Sequence, residues 1–218
     1  RDRRIRAAAV FWYLSGIRVG AFVTLPINAI ILSERRVNQW PSLGVRTKFT
    51  KRATTYLLEI PELMGVVKEW DKEVRSKLPV TSFWFAPLSP ETGTFDARIK
   101  EAGEHRNQRA RKDLQEWLNR VGLPYHSPHK FRHGHAVYAL SHSKDIADLK
   151  AVSQNLMHSN LSITDGVYGV LSTADVGKRI AGLGQQLAAG EVSQAELIAQ
   201  MTQLSEMLKK TMGIAGTK

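Results

Sequence analysis

The chain contains no cysteine, which excludes disulfides, thiolate zinc sites and cysteine nucleophiles. The same absence fits a reducing compartment, and a cytoplasmic location is the expectation. A long hydrophobic run is missing too. The best stretch, Phe22 to Leu32, is broken by Pro26 and Asn28 and falls short of the roughly 18 apolar residues that a membrane span requires. No membrane partner is therefore expected. Negative charge is scarce, with 20 Asp and Glu against 31 Lys and Arg, for a net charge of +11. The opening residues Arg1, Asp2, Arg3, Arg4 and Arg6 lack the apolar segment of a signal peptide. They read as a start within a longer protein whose preceding domain is absent here.

What is present suffices for a packed fold. At 218 residues and 43% hydrophobic content, the chain can form one large domain or two small ones with a proper core, and a disordered or fibrous class is excluded. The positive excess is uneven. Residues 174–218 hold five Lys and Arg against four Asp and Glu, so ten of the eleven net charges lie in residues 1–173. A basic body with a near-neutral tail favours a polyanionic partner for the body.

Helical spacing of Ile5, Ala8, Ala9, Trp12 and Tyr13 predicts a helix over residues 4–15, closed by Ser15-Gly16. A short helical run from Val19 to Leu25 stops at Pro26. Between Arg36 and Ile60 the pattern turns to β, with strands at Val37–Trp40, Val45–Phe49 and Thr54–Ile60 and a polar Thr50-Lys51-Arg52 turn. Pro61 suits the first position of a helix that runs to Leu78, and residues 79–95 form a loop. One long helix, or two broken near Gly103, is expected from Asp96 to Val121. Ser127 and Pro128 then open a helix carrying His129, Arg132, His133 and Ala136 on one face. Another helix covers Ile146–Met157. A capping box at Ser193-Gln194-Ala195-Glu196 announces a terminal amphipathic helix over 193–211. The overall class is mainly α with a small antiparallel β-sheet.

His129-x-x-Arg132 alone carries little information, and Tyr168 alone reads as a packed aromatic. Four features in order carry much more. They are Ser15-Gly16-Ile17-Arg18-Val19 after the first helix, Thr47-Lys48-x-x-Lys51, Pro128-His129-x-x-Arg132-His133, and Leu156-x-His158-Ser159 followed ten residues on by Tyr168. That order and spacing resembles the catalytic domain of the tyrosine recombinases, the phage integrase family. The resemblance covers residues 1–173, and it leaves 174–218 as a C-terminal helical extension in which the amphipathic segment 193–211 suits docking on a neighbouring protomer or, equally, on its own domain. It implies double-stranded DNA as the partner, with an N-terminal DNA-binding domain completing the clamp.

The chemistry implied by the resemblance suits these side chains. A phosphodiester repels nucleophiles, and its transition state gathers charge on the non-bridging oxygens. Arg18 and Arg132 would clamp those oxygens through permanently charged planar forks. His158 would add a hydrogen bond, and His129 would handle the tyrosine proton near neutral pH. Tyr168 is the implied nucleophile, giving a 3′-phosphotyrosine link and a free 5′-hydroxyl. A hairpin lysine is the family's general acid, Lys48 being preferred over Lys51. The implied activity is site-specific recombination that integrates or excises a mobile element in a synaptic tetramer, without cofactor or metal.

Two other activities use the same residues: a type IB topoisomerase, and a DNA-binding relic that has lost turnover. A metal site built on His126, His129, His133 and His135 is disfavoured by the positive charge of Lys130 and Arg132 between them. Two positions depart from the family pattern. Ala21 stands where many members carry an acidic residue three places after the first arginine. Met157 replaces the glycine that usually precedes the third-motif histidine, so a different local backbone geometry is expected there.

Overall fold

Helix α1 (Asp2–Ser15) is buried on almost every side, not along one stripe. In the computed structural model, which describes residues 2–89, 91–96, 98–99 and 101–157, three further helices pack around it. These are α3 (Pro61–Lys77), α4 (Arg106–Arg120) and α5 (Pro128–Ser141). Small residues make this position possible: Ala7, Ala8 and Ala9 let neighbouring helices approach, while Phe11 and Trp12 fill the space between them. Phe11 and Trp12 join Phe22, Trp84 and Phe85 in an aromatic cluster with ring centroids 4.8–5.5 Å apart.

A charge buried at the centre of this packing is compensated locally. Arg4 pairs with Asp113 of α4, donates to the Ala86 carbonyl at 2.8 Å and lies over the Phe85 ring at 4.3 Å. Asp71 of α3 accepts from Trp84 Nε1 at 2.9 Å and from Arg75 Nε at 2.7 Å. Arg75 in turn reaches the carbonyls of Ile27 and Ile30. The segment between the second helix and the sheet is thereby tied to α3.

The sheet is small and antiparallel, in the order β1 (Ile30–Ile31), β2 (Arg36–Gln39), β3 (Ala53–Tyr56). Register pairs Ile30 with Val37 and Val37 with Thr55. It differs from the sequence reading in three ways. Strand β1 was not expected, and Val45–Phe49 is not a strand. After β2 the chain turns through Pro41–Leu43 and Gly44 (φ +79°), and Val45 buries its side chain while its N–H returns to the Trp40 carbonyl. The Arg46 N–H goes to Thr24 Oγ1 at 2.9 Å. Those two N–H groups are committed to Trp40 and Thr24 and not to a neighbouring strand. Strand β3 also ends before Ile60, because the Leu57 and Leu58 N–H groups bond to the carbonyls of Arg35 and Leu14.

The helix expected from Asp96 begins only at Arg106. Asp96 instead takes the Arg98 N–H and guanidinium, a local arrangement that competes with helix. Helices α2 (Val19–Phe22), α5 and α6 (Ile146–Asn155) stand close to their expected places, with Asp145 capping α6 through the Asp148 N–H. No helix among the described residues is long and apolar enough to cross a membrane. His158, Tyr168 and the helix expected over 193–211 lie outside the described residues.

Candidate active site

Two chain reversals bring the Arg18 segment and the His129-x-x-Arg132 motif together. Helix α1 ends at Gly16 in the left-handed conformation (φ +62°), which only a glycine adopts without steric cost. Crowding adds a second demand, since a β-carbon at Gly16 would stand 2.6 Å from Leu156 Cδ2 and 2.7 Å from His135 Cδ2. The chain then extends through Ile17 to Arg18, which precedes α2 with φ −71° and ψ 143°. The second reversal is at Ser127-Pro128. Ser127 occupies the N-cap position as its sequence suggests, but its hydroxyl makes no capping bond to any described residue.

His129 and Arg132, one turn apart on α5, face the Arg18 segment across a cleft of about 440 Å³. Ile17, Val19, Arg111, Tyr125, Ser127 and Pro128 complete its described lining. No carboxylate stands among these described residues. The cleft also receives the N-terminal end of the 14-residue α5, where the helix dipole favours an anion.

Arg132 is 4% exposed and braces the backbone as well as lining the cleft. It donates to the Gly16 carbonyl beside the first motif and to the Leu156 carbonyl two residues before His158. One guanidinium, with its five donors in a fixed fork, thus ties the backbone at Gly16 and at Leu156 to α5. Met157 follows Leu156 with φ +53°. It takes the left-handed conformation that favours glycine, at the cost of local strain.

The imidazole of His129 has its pKa lowered, first by desolvation in the cleft and then by the charges of Arg132, His133, Lys130 and Arg18. It is therefore held neutral, able to accept a proton. His135, which the sequence marks only as a packing or surface residue, is 1% exposed. Its Nδ1 meets the Tyr13 carbonyl at 2.9 Å, and its Nε2 lies 3.4 Å from Asn155 Nδ2. Nδ1 is thus the protonated nitrogen of a neutral ring, whose pKa burial pushes down to about 4. The four-histidine cluster is divided: His129 opens on the cleft, and His135 turns into the core.

Asn155 links α6 to the sheet. Its side chain accepts from the Tyr56 N–H at 2.7 Å and donates to the Tyr56 carbonyl at 3.1 Å, as a neighbouring strand would. Thr55 adds a bond to the Asn155 carbonyl.

Lys48 and Lys51 do not line the cleft. Both are exposed on the loop between β2 and β3, where Lys48 begins a single 3₁₀ turn. Arg111 is the residue that sequence reading missed. Nothing local marks it among the five Arg and Lys residues of α4, and only the approach of α4 to the first motif places it at the cleft.

The profile of the phage integrase family matches residues 1–174. Tyrosine recombinase XerC of Haemophilus influenzae (strain PittEE) is 32% identical over 165 residues, 75% of this chain and 48% of that protein. XerC of Histophilus somni (strain 2336) is 29% identical over 164 residues, with the same coverage. The chain thus spans about half the length of these curated relatives. Among solved structures, XerA recombinase has the same fold, with a TM-score of 0.56 at 19% identity over 83% of this chain and 56% of that one. XerH site-specific recombinase bound to palindromic difH substrate gives a TM-score of 0.50 at 18% identity over 83% of this chain and 45% of that one. With a profile match over most of its length and the motif arginines gathered at one cleft, the chain belongs to the phage integrase family.

Proposed function

We propose that this chain is the catalytic part of a site-specific DNA recombinase that breaks and rejoins strands through a 3′-phosphotyrosine intermediate. One observation carries the reading: Arg18, Arg132, neutral His129 and the α5 N-terminus converge on a single cleft without a carboxylate among its described lining residues. Such a cleft suits a phosphodiester, whose two non-bridging oxygens accept from the arginine forks. In the proposed step the Tyr168 oxygen attacks phosphorus, and its proton passes to His129 as the phosphotyrosine bond forms. The bond from phosphorus to the 5′ oxygen breaks, and Lys48 protonates the leaving oxygen. His158 adds a hydrogen bond to the phosphate, and Lys51 is the alternative acid. Rejoining reverses these transfers with the 5′-hydroxyl of a partner strand.

In this reading residues 1–173 form the catalytic domain, and the end of the family match at residue 174 supports that boundary. Residues 174–218 form an extension whose segment 193–211 docks on a neighbouring protomer within a DNA-bound tetramer. Duplex DNA is the substrate, and integration or excision of a mobile element is the biological outcome. A nicked suicide duplex tests the chemistry, because the fragment beyond the nick diffuses away and traps the covalent adduct. The adduct is expected with the wild-type chain and absent with Tyr168→Phe. Equal adduct yield from the two proteins would falsify the assignment.

A further inference from the structure

Phe49 is 77% exposed, more than any other large hydrophobic side chain among the described residues. Its backbone is as unusual as its exposure. Phe49 (φ +60°, ψ +28°) and Thr50 (φ +53°) are consecutive non-glycine residues in the left-handed region, one of them β-branched. Each pays a steric cost there, and strained backbone of this kind concentrates where a side chain has to be presented. The base of the loop is well held. Gln39, registered opposite Ala53 at the end of the ladder, donates through Nε2 to Thr55 Oγ1 at 2.5 Å, and the Arg46 N–H is bonded to Thr24. The ring therefore stands in water at the tip of an anchored support.

Its surroundings define the partner. The sequence carries no acidic residue between Glu34 and Glu59, whereas Arg46, Lys48, Lys51 and Arg52 all fall within the same loop. Lys48 Nζ lies 5.0 Å from the Phe49 ring centroid, and Arg52 is stacked on Trp40 at 4.0 Å. A protein surface meeting this tip would have to supply many carboxylates. A nucleic acid supplies phosphates for the cations and flat apolar faces for the ring in one ligand.

We infer that Phe49 is a wedge that inserts against a base step of duplex DNA while the flanking cations hold the phosphates. This rests on the proposed function. Because Lys48 is its immediate neighbour, the disturbed step lies beside the cleaved bond, where unstacking releases the free 5′ end toward its partner strand.

The probe is a 40-base-pair duplex that the wild-type chain selects from a random pool, with 2-aminopurine placed at successive positions. Phe49→Gly removes the ring and suits the left-handed backbone, so the loop conformation is kept. Wild type and Phe49→Trp are expected to brighten 2-aminopurine at one step. Phe49→Gly is expected to lose that signal and to bind between about fivefold and a hundredfold more weakly, the range of one base–aromatic stack. Its salt dependence should be unchanged, because no charge is lost. Equal affinity and equal fluorescence with Phe49→Gly overturn the wedge. So does weaker binding with no brightening by wild type, which leaves the ring against sugar or backbone. Failure of the wild-type chain to select any duplex instead removes the underlying DNA reading.

Discussion

Arg132 and Arg111 both line the cleft, yet only Arg132 is built into the backbone around it. Arg111 is exposed on α4, so its expected contribution is phosphate binding. Arg111→Gln should weaken duplex binding several-fold and lower the slope of log affinity against log salt by roughly 0.9, the value of one phosphate contact. An unchanged slope in anisotropy titrations would remove Arg111 from the DNA surface. His135 makes a different prediction, about stability. Its pKa of about 4 lies below the ordinary imidazole value of 6.5, so the unfolded chain binds this proton more readily than the folded one. The stabilisation is complete above about pH 6.5 and is lost as pH falls toward 4, amounting to roughly 3 kcal/mol across that window. Urea midpoints at pH 5 and pH 7 should differ in wild type and converge in His135→Phe, and equal pH slopes in the two proteins would contradict the assignment. The motif arginines were legible in sequence from their order and spacing. The burial of His135 was not, because its neighbours Tyr13 and Asn155 are distant in the chain.

At the scale of elements, the site depends on a three-way junction. The end of α1, the middle of α5 and the last turn of α6 meet at Gly16, where Leu156 and His135 leave no space for a β-carbon. Gly16→Ala combines a left-handed alanine with overpacking, and it should destabilise the fold by roughly 2–4 kcal/mol. Cleavage by the folded fraction should fall further, because Arg132 holds the Gly16 carbonyl. A variant with wild-type melting temperature and activity would show that the junction yields easily. Helix ends marked by Ser15-Gly16, by Pro61 and by Ser127-Pro128 follow from local rules and were legible. The segment from Val45 to Phe49 was misread as a strand because its hydrophobic alternation is real, while the N–H groups of Val45 and Arg46 go to Trp40 and Thr24.

For the molecule as a whole, the charge distribution dominates. Nearly all of the net +11 belongs to residues 1–173, so duplex binding in a basic groove should fall steeply with salt as counterions are released. A flat salt response in gel shifts would argue against such a groove. Deleting residues 190–218 should weaken assembly of the proposed tetramer more than binding to a single site. Equal loss of both would assign the terminal segment to the fold of its own protomer.

The sequence by itself determined the class of fold, made a polyanionic partner the expectation and, through the family resemblance, supplied the motif residues. The fold class follows from helical period and capping signals, which act over a few residues and survive without tertiary context. Only the tertiary structure decided which cations share a cleft. Arg132 bonds to a carbonyl 116 residues away, Arg111 reaches the cleft through the packing of α4, and Phe49 is turned outward by two left-handed residues that no local propensity favours. The physical reason is the same in each case: a contact between distant segments depends on how the helices pack around α1, and the energy of that packing is spread over the whole core.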